Sequence, residues 1–546
     1  MGLTGCGSKD NTGDNNPVTN SAWDVNETPR DQIKDGGVFH GSFGSEIDTW
    51  NLNTATGNDN DMVVMQSPLG EGWYLEDGSG DHTVNPNFLD SIKDETVNGQ
   101  LVITMKINSK AKWNDGEPIG FDDWEATVNA FNGENEDFAV ASSDGWNQIE
   151  SVTKGATDQD VIITFKQAYP DWVALIMGGP MRAESCATPD VFNDGWADYH
   201  NEWYAGPYVV TSFEKSSQTV TMERNPNWWG DQGKLDQIVF KYVSQDQAAT
   251  AFANNEIDFI NIGPDPNLYA QVLATPNAVV RQSGGPNYRH FTFNSKSPAL
   301  SDVNVRQAIV MGLDRDAIAE SDLAGLPVDL DKSRKNSNLF MNGQDGYTDW
   351  AEVTGIKYDP EGAKAKLEAA GYTMGADGYY AKDGQTLTVR FAVLSGVATS
   401  VNEGQLAQAQ LKEIGVNIEI QQVNTATDWP GVLTDHNFDI IAFAWIGTAF
   451  PLMNIGQIFG EGSDSNYAQL TNDTVEQLLP TVDTDEDPAD RLKVAQEIDR
   501  SIWESVHTLP LYQRPSLAGV NANLANIGSF GMARIPLTWV NVGYVA

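Results

Sequence analysis

Between residues 204 and 260 the hydrophobic period changes from two to 3.6 and back, which confines this stretch to a strand-rich unit carrying one helix. Residues 208–213 and 218–223 alternate apolar and polar side chains on either side of Glu214-Lys215-Ser216-Ser217, and so predict a hairpin with one buried face. Arg224-Asn225-Pro226-Asn227-Trp228-Trp229-Gly230 then breaks the pattern as a rigid turn. Alternation resumes over 234–243 through Leu235, Ile238, Phe240 and Tyr242, helical spacing covers 245–255, and a short strand is expected at 257–260. Every residue here has a structural reading, so the stretch identifies a fold and leaves the choice of ligand to other segments.

The same stretch carries several motifs in a fixed order. Gly206-Pro207-Tyr208 is followed by Glu223-Arg224-Asn225-Pro226, Trp228-Trp229-Gly230, Lys234-Leu235-Asp236 and Ala251-Phe252-Ala253-Asn254-Asn255-Glu256-Ile257-Asp258-Phe259. This order resembles the core of the peptide/nickel-type (family 5) extracellular solute-binding proteins, the receptors of ABC importers. Further matches are the turn Trp113-Asn114-Asp115-Gly116-Glu117-Pro118 ahead of a helix, Phe291-Thr292-Phe293-Asn294, and Val305-Arg306-Gln307-Ala308-Ile309. The resemblance implies an α/β, two-lobed, hinge-closing periplasmic-binding-protein-like fold of type II, in the large oligopeptide-binding class, with an extra subdomain in the first lobe. It implies a discontinuous first lobe (36–56, 201–288 and 511–546), an inserted subdomain (57–200) and a second lobe (289–510).

Residue-level signals fill in that frame. A chain of 546 residues exceeds one ordinary domain, and its 16 Trp, 16 Tyr and 21 Phe argue against disorder. Short helices are expected at 61–66 and from Asp122 or Asp123, with Trp124, Val128 and Phe131 on the apolar face of the second. In the second lobe, helices at 361–370 and 405–414 alternate with strands at 387–394 and 416–422, a pattern that predicts parallel pairing and a cleft at the strand ends. A helix over 490–504 and a strand at 508–512 lead back toward the first lobe.

Lysine and arginine total 33 against 76 acidic residues, for a net charge of −43. Such a field opposes nucleic acid and anionic lipid surfaces. Leu3-Thr4-Gly5-Cys6 resembles the lipobox of bacterial lipoproteins, which implies a lipid anchor on Cys6 at the extracellular face of the membrane. Residues 1–35 read as this box plus a polar, disordered tether. The second cysteine, Cys186, has no cation or histidine beside it and reads as an inert, buried thiol.

The ligand chemistry concentrates in Phe438-Asp439-Ile440-Ile441-Ala442-Phe443-Ala444-Trp445-Ile446-Gly447-Thr448-Ala449-Phe450. An apolar strand ends there in an aromatic and then Gly-Thr, so Trp445, Ile446, Gly447, Thr448 and Phe450 are ligand candidates. In oligopeptide-binding relatives this place commonly carries an arginine and an aspartate; counting from Asp439 and Trp445, these positions hold Ala442 and Thr448. Losing two charge-assisted contacts, each worth about 1.5–3 kcal/mol, disfavours a short zwitterionic peptide and favours a longer or uncharged ligand. By position alone, Asn53 and Thr54 (or an ordinary polar loop), Trp146 (or a core residue), Asn424 and Tyr512 complete the candidates.

The six histidines contain no zinc-helix spacing, and no nucleophile elbow or P-loop is present, so no cofactor, metal or catalysis is expected. The reading is a monomeric receptor that captures peptides between its lobes and delivers them to permease subunits. An oligosaccharide receptor of the same fold, and less readily an extracellular hydrolase, are the alternatives.

Overall fold

The computed structural model describes residues 23–54, 56–424, 428–453 and 455–546; Cys6 and its lipobox lie outside them. Its spine is a pair of antiparallel strands, Ala278–Phe293 and Thr508–Asn521. At ~3.3 Å per residue each runs for about 50 Å, far enough to belong to two packed bodies at once. Near one end of the pair, Phe259–Asn261 joins Thr508–Asn521. Toward the other, Ala278–Phe293 carries Ile440–Ile446, then Thr388–Leu394 and Asn417–Val423, which completes a six-stranded sheet.

A four-stranded sheet in the order Val38–Phe43, Gln237–Tyr242, Thr219–Arg224, Tyr208–Glu214 forms one body. Its hairpin falls where alternation predicts it, and Phe39, Tyr208, Val220 and Phe240 are buried beside Trp539. A second body has the sheet order Leu89–Val97, Gln100–Ile107, Asp160–Phe165, Ile149–Lys154, covered by the helix Phe121–Phe131. That helix is capped by Gly120 rather than by Asp122 or Asp123. Asp123 acts from inside the first turn: its carboxylate accepts from Gly120 N at 3.0 Å, Trp113 Nε1 at 3.2 Å and Ala183 N at 2.9 Å. In the third body Thr388–Leu394 pairs in parallel with Asn417–Val423, with the helix Ala398–Glu413 between them in sequence. The two-lobed α/β architecture is therefore present.

Composition misplaces one segment. Residues 23–35, read as tether, are packed: Asp24 bridges Ser529, Ile33 bridges Val545, and Val25 and Ile33 are buried. Polar side chains draw them in, since Asn26 Nδ2 donates to Leu524 O at 2.7 Å and Asn526 Nδ2 donates to Thr28 O at 3.0 Å.

The third body grips the spine through a buried polar network. Arg289, on the first long strand, donates from Nε and Nη2 to Glu403 at 2.6 and 2.5 Å. Tyr512, on the second, donates to Asp322 Oδ2 at 2.9 Å. Glu403→Gln should lower the unfolding free energy by about 3–5 kcal/mol, because removing one charge strands its buried partner; urea denaturation with an effect under ~1 kcal/mol would refute the role of the pair. Burial, and then the neighbouring Glu403 charge, raise the Asp322 carboxyl above the usual carboxylate range. Its folded pKa exceeds the unfolded one, so its stabilisation is full at low pH and is lost as pH rises through the folded value. Asp322→Asn, which keeps an acceptor for Tyr512, should flatten the fall in melting temperature between the unfolded carboxyl value of about 3.9 and the raised folded value; parallel pH profiles for the two proteins would contradict this.

Candidate ligand-binding site

The wider of two register breaks between the long strands lies near their middle. Gly284 faces Pro515 and Tyr288 faces Gln513, so Gly285, Pro286 and Asn287 form a bulge opposite Arg514 alone. The local sequence requires it: Pro286 has no N–H for the ladder, and two glycines precede it. The bulge carbonyls are nonetheless satisfied, Gly285 O by Gln513 Nε2 at 2.6 Å and Pro286 O by Gly447 N at 2.8 Å.

A cavity of about 680 Å³ opens against this bulge, within the size range of small-molecule and cofactor sites. Residues 42–45, Asn60, Asp61, Ile527, Gly528, Phe530 and Gly531 wall it on one side, the bulge and residues 514–518 form its floor, and Ile446 reaches it from the opposite lobe. Phe259 and Phe530, which stack with centroids 6.4 Å apart, supply apolar wall. Asp61 Oδ2 accepts from Gly44 N at 2.7 Å, and burial holds its carboxyl above the usual range. Arg534 stands at the rim and donates to Asn60 Oδ1.

Above the cavity the lobes touch. Phe450 stacks on His82 at 4.7 Å and Arg491 pairs through both terminal nitrogens with Asp171, while within the second lobe Gln344 Nε2 donates to Thr448 O at 2.9 Å. Gly447 fits between Pro286 and Met341 only because it lacks a side chain: a Cβ there would lie 2.8 Å from Met341 Sδ.

The expected site residues are thus divided. Ile446 lines the cavity, while Gly447, Thr448 and Phe450 build the contacts beside it. Trp445 is half-buried in an aromatic cluster, stacked at 6.0 Å on both His290 and Tyr467, and is absent from the cavity wall. Tyr512 does not reach the cleft; it is 1% exposed and spent on Asp322. Trp146 packs on Phe131 at 5.0 Å. Thr54 is buried, accepting from Gly57 N at 3.1 Å, and Asn53 donates to Met181 Sδ at 3.5 Å. Asn424 is exposed at the end of Asn417–Val423. None of these five lines the cavity. Ala442 is fully buried, so the strand offers no cation at that position. Cys186 is buried too, and burial pushes its thiol up to about 12.

Sequence reasoning missed Asp61, Asn287, Arg514 and Arg534. A Gly-Gly-Pro inside a long strand, facing Arg514-Pro515, is the signal that marks the bulge and with it the floor of the site.

The family model "Bacterial extracellular solute-binding proteins, family 5 Middle" matches residues 83–467. The chain belongs to this family. It is 31% identical to the "Oligopeptide-binding protein OppA" of Mycobacterium tuberculosis, over 98% of this chain and 91% of that protein. Two solved structures share the fold. A "Periplasmic EDTA-binding protein EppA" superposes with a TM-score of 0.87 at 22% identity, covering 96% of this chain and 98% of that one. The oligopeptide-binding protein AppA of Bacillus subtilis, in complex with a nonapeptide, superposes with a TM-score of 0.73 at 20% identity, covering 94% and 100%. The chain is accordingly a solute-binding protein and not an enzyme, and among its described residues no helix is long and apolar enough to cross a membrane.

The Arg491–Asp171 pair, with both side chains 12% exposed, locks the lobes together. Arg491→Gln should weaken ligand binding by about tenfold or more, since it leaves a half-buried carboxylate unpaired in the closed form only. Small-angle scattering should show a larger radius of gyration for the variant; unchanged dimensions and affinity would show that the pair does not stabilise closure.

Proposed function

We propose that the protein is the extracellular receptor of an ABC importer, holding peptides in the cavity at the hinge bulge and presenting its closed form to the permease subunits. One observation carries this reading: a cavity of about 680 Å³ floored by the two strands that join the lobes and reached by Ile446 from the far side. A ligand there touches both lobes, and only contacts that differ between the open and closed forms shift the balance toward closure. The similarity to an oligopeptide-binding relative along nearly the whole chain supports peptide as the ligand class. An oligosaccharide would stack on an exposed aromatic face, and Trp445 does not offer one, since its ring is taken up by His290, Phe443 and Tyr467. Cys6 would tie the monomer to the outer face of the membrane by a lipid, with no other membrane contact.

The test is calorimetry with a peptide library beside a set of oligosaccharides. Heat and thermal stabilisation with peptides are expected. A response to oligosaccharides alone overturns the peptide reading, and turnover of any ligand overturns the receptor reading. Trp445→Ala should leave peptide affinity within about threefold, as expected for a residue off the cavity wall.

A further inference from the structure

We propose that Arg514 anchors a carboxylate of the ligand at the hinge bulge, so that the receptor selects peptides with a free carboxyl terminus. This deepens the peptide reading and rests on it.

Well-buried arginines of the spine and of the body built on Thr388–Leu394 and Asn417–Val423 each have an acceptor: Arg281, whose Nε is also unpartnered, pairs through Nη1 with Asp24 at 3.1 Å. Arg289 is held by Glu403, Arg306 by Ser505 O and Leu300 O, and Arg315 by Pro510 O, Lys335 O and the Asn336 side chain. Arg514 differs. Its Nε is buried without a hydrogen-bond partner, and among the described residues no carboxylate pairs with its guanidinium. Yet acidic residues outnumber basic ones 76 to 33, so carboxylates are plentiful. Arg514 lines the cavity opposite the bulge, where Gly285 O and Pro286 O are already taken by Gln513 and Gly447. Asn287 Oδ1, on the facing strand of the same floor, is also buried without a partner.

A buried N–H of a charged group left unmatched is costly, and a ligand that supplies its acceptor recovers that cost. A carboxylate fits the planar fork of the guanidinium through two parallel bonds, and an ammonium or amide donor on the ligand would satisfy Asn287 Oδ1. Asp61, on the same cavity wall, adds an acceptor for a ligand cation. The pair that the end of Ile440–Ile446 lacks, at Ala442 and Thr448, is thus replaced by residues of the hinge and of the lobe opposite.

The experiment compares two synthetic pools of tri- to pentapeptides, identical except that one ends in free carboxylates and the other in carboxamides. Binding is read by native mass spectrometry and thermal shift on the whole protein. The free-acid pool should bind about tenfold or more tightly, as a charge-assisted pair predicts. Arg514→Gln should abolish that preference by weakening the acids alone, and Arg514→Lys should retain part of it. Equal affinity of the wild-type protein for both pools overturns the anchor while the peptide reading stands, and this comparison needs no variant to fold. Persistence of the full preference in Arg514→Gln also overturns it. Binding of neither pool overturns the peptide reading and the anchor together.

Discussion

The structure depends on one ladder of hydrogen bonds and on the place where it fails. Ala278–Phe293 and Thr508–Asn521 are the long strands that run through both lobes, and their pairing shifts register at residues 285–287 and again at 289–290. A continuous antiparallel pair would fix the lobes relative to each other. The first shift leaves three residues against one, and such a bulge bends and twists the strand that carries it. The same irregularity opens the floor of the cavity, where Arg514 Nε has no hydrogen-bond partner among the described residues.

On either side of that break the strands are held firmly. Arg289 and Tyr512 are tied to Glu403 and Asp322. On the other side Ser283 Oγ lies 2.6 Å from Ser529 Oγ and Gln282 N donates to Asp24. Buried polar groups with geometrically matched partners resist sliding, because any shift leaves them unmatched in a low dielectric. The least is left to break at the bulge, where Gly284, Gly285 and Pro286, which has no N–H, lie.

Periodicity made much of the fold legible. Strands at 208–214, 219–224, 237–242, 388–394, 417–423 and 440–446 lie where alternation or short apolar runs point, because each buries one or both faces in a core that the pattern already encodes. The long strands were legible only at one end each, at 291–294 and 508–512. Their middle carries Ser-Gly-Gly-Pro-Asn, which reads as a loop in sequence and is a bulge in space. The site was correspondingly half legible. Ile446 to Phe450 follow from a strand ending in Gly-Thr, whereas Arg514 and Asp61 come together only through tertiary contact between segments some 450 residues apart in sequence. Tyr512 and Trp445 mark the limit of such a reading. Large aromatics near a strand end are read as ligand contacts, but the buried acceptor of Tyr512 and the ring partners of Trp445 exist only in the folded chain.

Moving a charged anchor from the far lobe to the joint changes what it does for closure. An anchor on the far lobe meets the ligand only when the lobes come together, so its whole interaction energy favours the closed form. A cation at the floor of the hinge meets the ligand before and after closure alike. It adds affinity to both forms and shifts the balance between them by no more than the difference in burial. Closure must then draw on contacts that the open form lacks: the ring of Phe450 against His82 and Arg491 against Asp171. These are protein contacts and make no demand on the ligand's side chains. In this arrangement ligand charge selects what is held, and the match between the two lobes decides whether the receptor shuts on it.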